Sequence, residues 1–212
     1  LTDPARYGLS LVLGGAEVTL LEMTSAFGVF AQDGVLYPKT AILRVEDSRG
    51  KILEETKMRG TPVLDTQIAR LITDILSDNV ARTPVFGPAS ALFFPDRTVA
   101  VKTGTTQDYR DAWVVGYTPS IVAGVWVGNN DNSTIDRERL SAMVAAPIWH
   151  EFLNGFFETS PPEDFIPPEK ENPEKPILRG VYRGGSIVKI DSLTGRLATD
   201  FTPPELVREK AY

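Results

Sequence analysis

Lys102-Thr103-Gly104-Thr105-Thr106 sets a cation, three hydroxyls and a glycine at the end of a β-branched, apolar run, Thr98-Val99-Ala100-Val101. A strand ending this way presents one edge well suited to an anionic peptide. Lys102 supplies the charge that attracts a carboxylate, and Thr103 and Thr105 supply hydroxyl donors. Gly104 has no Cβ, so a ligand can lie alongside the backbone as an extra strand.

The neighbouring elements must hold that edge in place. Ala112 to Tyr117 and Ile121 to Gly128 read as two further strands after a polar break at Gln107–Asp111, where Arg110 and Asp111 are expected to brace the connection. Glu17 to Gln32 places Leu20, Met23, Phe27 and Phe30 at three- and four-residue steps, which predicts an amphipathic helix closed by Gly34. Asp65 caps a second predicted helix, with Ile68, Leu71, Ile72, Ile75 and Leu76 expected on its buried side. Ala81 to Arg97, with Pro84, Gly87, Pro88 and Pro95, reads as a loop leading into the lysine strand. A Pro147–Phe157 helix is expected to hold His150, the single histidine, in a structural role.

The stretch from Val99 to Pro119 (VAVKTGTTQDYRDAWVVGYTP), then Val122 to Asp131 (VAGVWVGNND) and Ala145 to Trp149 (AAPIW), resembles the transpeptidase domain of the bifunctional class A penicillin-binding proteins. Leu9 to Thr24 (LSLVLGGAEVTLLEMT) and Phe30 to Gly34 (FAQDG) resemble that family's helical approach to its site. The resemblance covers roughly residues 1–158. It implies an α/β (α+β) fold, an antiparallel sheet flanked by helices of the β-lactamase/transpeptidase type, present here only in its C-terminal part.

Family chemistry needs a serine three residues before a lysine and a serine-x-asparagine element, both upstream of the lysine-threonine-glycine strand. Three local matches fail on context. Ser48 to Lys51 has the spacing, but Asp47-Ser48-Arg49-Gly50 is a hairpin turn by composition, on a surface flap. Ser77-Asp78-Asn79 reads as the polar end of the second helix. Ser186 to Lys189 alternates like a strand, so its serine and lysine cannot share a helical face. The nucleophile is therefore expected upstream of Leu1, and the chain is expected to be a fragment, inactive by itself.

The resemblance implies acyl transfer. The upstream serine attacks the carbonyl between two D-alanines of a peptidoglycan stem peptide, and an amine from a neighbouring stem takes the acyl group. Lys102 and Thr105 are the implied catalytic residues here, with the Thr105 backbone N–H forming half of an oxyanion hole. Thr103, Gly104 and Thr106 are the implied substrate-binding residues. β-Lactam antibiotics are expected in the same groove, with no metal or organic cofactor. The implied location is the extracytoplasmic face of the cell envelope, with a membrane anchor upstream. Two other readings share the motif: a non-catalytic β-lactam-sensing or cell-wall-binding module, and a hydrolytic β-lactamase or D,D-carboxypeptidase.

Composition fits that setting. The chain has 212 residues, 42% hydrophobic and 24% charged, which suffices for one sizeable core. A net charge of −6 without a basic cluster argues against a nucleic-acid partner. No cysteine is present for disulfides or thiolate metal sites, and no apolar run approaches the about 18 residues that a membrane span needs. Asn129 to Ser133 lacks the glycine and glutamate spacing of a calcium loop and reads as an asparagine-rich turn. Residues 159–176 carry six prolines among charged residues and read as a tether. Residues 177–212 are expected to form a small appendage, one hairpin pairing Ser186–Ile190 with Arg196–Thr199.

Overall fold

Three antiparallel strands carry the motif residues: β5 (Ala100–Thr105), β6 (Asp111–Tyr117) and β7 (Val122–Gly128), hydrogen-bonded in that order. This is a computed structural model, and it describes residues 7–135, 141–169 and 187–211. The chain divides into two compact units between Pro168 and Glu169. Within the first, helices cover both faces of the sheet, the mixed α/β arrangement that the sequence predicts.

One face is built around α4 (Ser141–Phe157). Trp149 and Leu153 are fully buried against Ala112, Val114 and Ala123, with Phe94 and Phe157 closing the cluster. The Trp149 indole N–H donates to the Ala123 carbonyl at 3.0 Å, so its one polar atom is satisfied inside the core. Gly116 makes room for that ring, because a Cβ there would strike it. Pro147 lies inside α4 rather than at its start. His150 is structural, stacked on Phe94 at 4.3 Å with Nδ1 donating to the Ala91 carbonyl at 3.1 Å.

The other face meets α1 (Leu20–Ala31) and α2 (Thr66–Ser77). Helix α1 starts at a capping box. Thr19 Oγ1 accepts from the Glu22 N–H, and the Glu22 carboxylate accepts from the Thr19 N–H at 3.0 Å. Those bonds hold the Glu22 carboxyl below its ordinary pKa. After α1 the backbone turns through Gly34 at φ +94°, where a Cβ would collide with the Leu64 carbonyl. β1 (Val35–Leu36) then pairs with β4 (Thr61–Pro62), and the exposed hairpin of β2 (Arg44–Glu46) and β3 (Ile52–Glu55) stands between them in sequence. Arg70 of α2 grips Asp33 at 2.6 Å and ties the two helices together.

The buried side of α2 differs from the expected one. Ala69 and Thr73 are buried and Ile72 and Leu76 half-buried, whereas Ile68, Leu71 and Ile75 are 48%, 45% and 71% exposed. Apolar periodicity identified the helix, but the face against this sheet is the one with small residues, which allow close approach.

The segment expected as a loop contains α3 (Asn79–Phe86). Asp78 caps it by accepting from the Ala81 N–H at 2.9 Å, and Gly87 ends it at φ +83°. Pro84, beyond the first turn, removes one backbone bond from this short helix. Arg82 anchors α3 by donating to the Leu76 and Leu92 carbonyls, and its burial lowers its pKa.

From Pro161 to Pro168 there is no helix or strand, yet the stretch belongs to the first unit. Phe165 packs edge-on against Tyr117, ring centres 5.6 Å apart. In the second unit, β8 (Ile187–Asp191) pairs antiparallel with β9 (Val207–Ala211). Arg196–Thr199 adds the antiparallel bridge Ile190 to Leu197, with the Asp191 N–H donating to the Arg196 carbonyl and the Ala198 N–H to the Lys189 carbonyl, both at 2.8 Å, while β9 is the longer ladder partner. The Asp191 carboxylate accepts from the Leu193 and Thr194 N–H groups, holding the turn that sets this geometry. Ser186 lies outside the described residues.

Candidate active-site cleft

Among the described residues β5 is an edge strand, and its register decides what each motif residue faces. Lys102 pairs with Val115 and Gly104 with Trp113, whereas Thr103 pairs with Val114 and Thr105 with Ala112. Paired residues of an antiparallel ladder share a face. Lys102 and Gly104 therefore share the face of Trp113 and Val115, away from α4. Thr103 and Thr105 share the face of the α4 core residues Val114 and Ala112, at the uncovered margin of the sheet.

The main chain alternates in the same way. The Thr106 N–H donates to the Asp111 carbonyl at 3.2 Å, so Thr106, Gly104 and Lys102 turn their backbone groups toward β6. Thr103 and Thr105 turn theirs outward, along the open edge. Each is a backbone donor and acceptor ready for an extended ligand. The Lys102 ammonium already donates to the outward Thr103 carbonyl at 2.7 Å.

This edge borders a cleft of about 740 Å³. Lys102, Thr103, Gly104 and Thr106 line one wall, and the segment Gly14–Val18 with Leu20, Met23 and Phe27 lines the other. Trp113, Val115 and Trp126 extend the strand wall with apolar surface. Four of the five motif residues thus converge, and Thr105, exposed at the end of β5, is the one outside the lining. The Thr106 hydroxyl is engaged twice by Asp111, donating to Oδ1 at 2.6 Å and accepting from the Asp111 N–H at 3.1 Å.

Asp111 is the site residue whose role sequence reasoning missed. Arg110 and Asp111 were expected to brace the connection, and both do so through neighbours: Arg110 lies 3.7 Å from Asp108 and donates to the Asn132 carbonyl, and Asp111 binds Thr106. The Asp111 carboxylate receives the indole N–H of Trp113 at 3.2 Å and of Trp126 at 3.0 Å. The signal was an aspartate two residues before a tryptophan, with a second tryptophan directly opposite the first, but the opposition requires the strand register.

Among the described residues, no serine lines the cleft. Ser48 sits in the flap turn, where the Asp47 carboxylate accepts from Arg49 and Lys51. Ser77 ends α2 with its hydroxyl on the Asp74 carbonyl. The asparagine-rich turn after β7 uses its own polar groups: Asn129 donates to Ser133 and Thr134, and the Asp131 carboxyl, held low in pKa by Ser133, accepts from the Ser133 N–H. Among the described residues no helix is long and apolar enough to cross a membrane, and no acidic or histidine cluster is arranged to hold a metal.

Penicillin-binding protein 1A of Aquifex aeolicus is 39% identical over 161 residues, which cover 76% of this chain and 22% of that protein. Penicillin-binding protein 2D of Bacillus subtilis is 34% identical, covering 76% and 23%. The chain thus spans less than a quarter of the length of these relatives. Among solved structures, penicillin-binding protein 1A from Haemophilus influenzae superposes with a TM-score of 0.65 over 96% of this chain and 33% of that one, at 22% identity. PonA1 from Mycobacterium tuberculosis gives 0.66 over 78% and 47%, at 24% identity. The model of the penicillin binding protein transpeptidase domain matches residues 5–154, and this chain belongs to that family.

Proposed function

We propose that this chain supplies the lysine-threonine-glycine wall of a serine D,D-transpeptidase that cross-links peptidoglycan stem peptides and is acylated by β-lactams. The observation that carries the proposal is the open edge of β5, with Lys102 and Gly104 on the cleft side and the backbone groups of Thr103 and Thr105 directed outward. An acyl donor ending in D-alanyl-D-alanine lies along that edge as an added strand. Lys102 attracts its terminal carboxylate, and the Thr103 and Thr105 hydroxyls donate to it. Gly104 keeps the approach clear.

On this reading the nucleophile is a serine outside the described cleft lining. That serine adds through Oγ to the carbonyl of the penultimate D-alanine, and the oxygen that gains charge is met by the serine N–H and the Thr105 N–H. A donor of that kind contributes about 3 kcal/mol to the transition state. Collapse of the adduct expels the terminal D-alanine, whose nitrogen takes up the proton, and leaves an acyl-serine. An amine of a second stem then attacks the acyl carbon and releases the serine. A β-lactam follows the first half of this path, its ring nitrogen departing without leaving the site. The enzyme works on the outer side of the cytoplasmic membrane, where its stem peptides are.

The test is fluorescent-penicillin labelling of the full-length gene product, followed by peptide mapping. The expected label is on one serine upstream of Leu1, three residues before a lysine. Labelling of Ser48 or Ser77 refutes the reading. A full-length protein that labels but transfers only to water supports the hydrolytic alternative, and one that never turns over supports the sensor.

A further inference from the structure

Three neutral donors converge on the Asp111 carboxylate at the cleft floor. The Thr106 hydroxyl and the Trp113 indole reach Oδ1 at 2.6 and 3.2 Å, and the Trp126 indole reaches Oδ2 at 3.0 Å. The backbone adds a further bond, from the Thr106 N–H to the Asp111 carbonyl. Thr106 is thereby held at its amide and through both hydrogen-bonding roles of its hydroxyl. It immediately follows Thr105, whose N–H points along the open edge.

The packing around Asp111 is built for this convergence. Its partner across β7 is Gly128, and a Cβ there would lie 3.0 Å from the Asp111 Cβ and collide with the Trp126 ring. Glycine lets Trp126 fold back over the carboxylate. Trp113 and Trp126 stand directly opposite each other, and both line the cleft. A carboxylate met by neutral donors at both oxygens fixes the planes of both indoles and the last peptide of β5 at once.

We propose that Asp111 is a positioning residue of the acyl-transfer site, holding the end of β5 through Thr106 and the two indoles so that the Thr105 N–H stays aligned with the acyl oxygen. The proposal rests on the transpeptidase reading above. Asp111 touches no reacting atom. It acts through geometry, and displacements of about an ångström at such donors cost up to roughly 100-fold in rate.

The test uses the full-length protein and separates the pre-acylation dissociation constant for a fluorescent penicillin from the acylation rate constant. Thr106→Val removes one arm of the clamp at an exposed position and keeps the β-branched shape. Its rate constant is expected to fall about 10-fold or more, with the dissociation constant unchanged within about twofold. Thr106→Ser, which restores the hydroxyl, is expected to recover the rate. Asp111→Asn turns one acceptor into a donor facing an indole N–H and is expected to lose at least as much. Should that variant fail to fold, the Thr106 pair decides alone. Wild-type acylation by Thr106→Val overturns the proposal. So does a loss confined to the dissociation constant, which makes Thr106 a ligand contact instead. Failure of the unaltered protein to label at all overturns the transpeptidase reading itself, before any variant is compared.

Discussion

The Tyr117 hydroxyl lies 2.9 Å from Thr73 Oγ1, a buried pair that joins the end of β6 to the middle of α2. Phe27, Phe30 and Phe165 surround the Tyr117 ring edge-on or tilted. This pair couples the sheet to its second helical layer, and it gives the fold an alkaline limit.

Burial raises the Tyr117 phenol above its ordinary pKa, and its bond to Thr73 opposes that shift without cancelling it. The folded phenol holds its proton at a pH where the unfolded one has lost it. This contribution to stability is complete below the unfolded value and declines as pH rises from about 10 through the folded pKa. Tyr117→Phe should flatten that decline. Near neutral pH it should cost about 1–2 kcal/mol, from the unpaired Thr73 hydroxyl. Denaturant melts between pH 8 and 11 on both proteins check this, and parallel declines would count against it.

Lys102→Ala in the full-length protein should slow acylation by penicillin at least about 100-fold, because it removes the charge that the proposed function sets against the ligand carboxylate. Thr103→Val should cost about 1–3 kcal/mol of transition-state stabilisation, the worth of one hydroxyl donor to a carboxylate. The Lys102 side chain is exposed and its own strand bond is to a carbonyl, so neither change should alter the melting temperature. Acylation rates and melts on the same preparations provide the check. Loss of activity only in step with loss of folding would make Lys102 structural.

Gly116→Ala should destabilise the domain by about 1–3 kcal/mol or more, because the added methyl meets the Trp149 ring and lies 2.8 Å from the Ala100 carbonyl. Trp149→Ala should cost about 3–5 kcal/mol by emptying the centre of the α4 layer. Urea denaturation measures both. The pair should be less damaging together than the sum of the two, since the cavity accommodates the methyl.

The isolated 212-residue chain should form no covalent adduct with a labelled β-lactam, as no serine among the described residues lines the cleft. Intact-mass spectrometry reads this directly, and a stoichiometric adduct on Ser48 or Ser77 would refute the expectation.

Local signals carried much of this architecture. Strands β5 to β7 were legible because alternating β-branched residues sit between glycine, proline and asparagine punctuation. Helices α1 and α2 followed from periodicity, Gly34 and the Asp65 cap. What escaped was decided at a distance. Helix α3 depends on Asp78 serving as a cap directly after α2, which outweighs the single bond lost at Pro84. The face that α2 buries is chosen by the sheet, and Ala69 and Thr73 win it over larger neighbours. β8 finds β9 across an intervening turn instead of pairing mainly with the nearest candidate. Of the cleft lining, Lys102, Thr103 and Gly104 were legible as a polar strand end. The Asp111 convergence was not, because Trp113 and Trp126 meet only after β6 and β7 adopt their register.

The uncovered margin of β5 also bears on how copies of this protein behave in solution. A strand with free amides and carbonyls invites any other extended chain, including an identical one, to pair with it. Proteins commonly discourage such stacking by placing a charge, lysine above all, on the exposed strand. Lys102 stands in the middle of β5, where a second copy aligned antiparallel would bring two ammonium groups together. The charge proposed to attract a peptide ending in a carboxylate therefore also repels the strand most similar to itself.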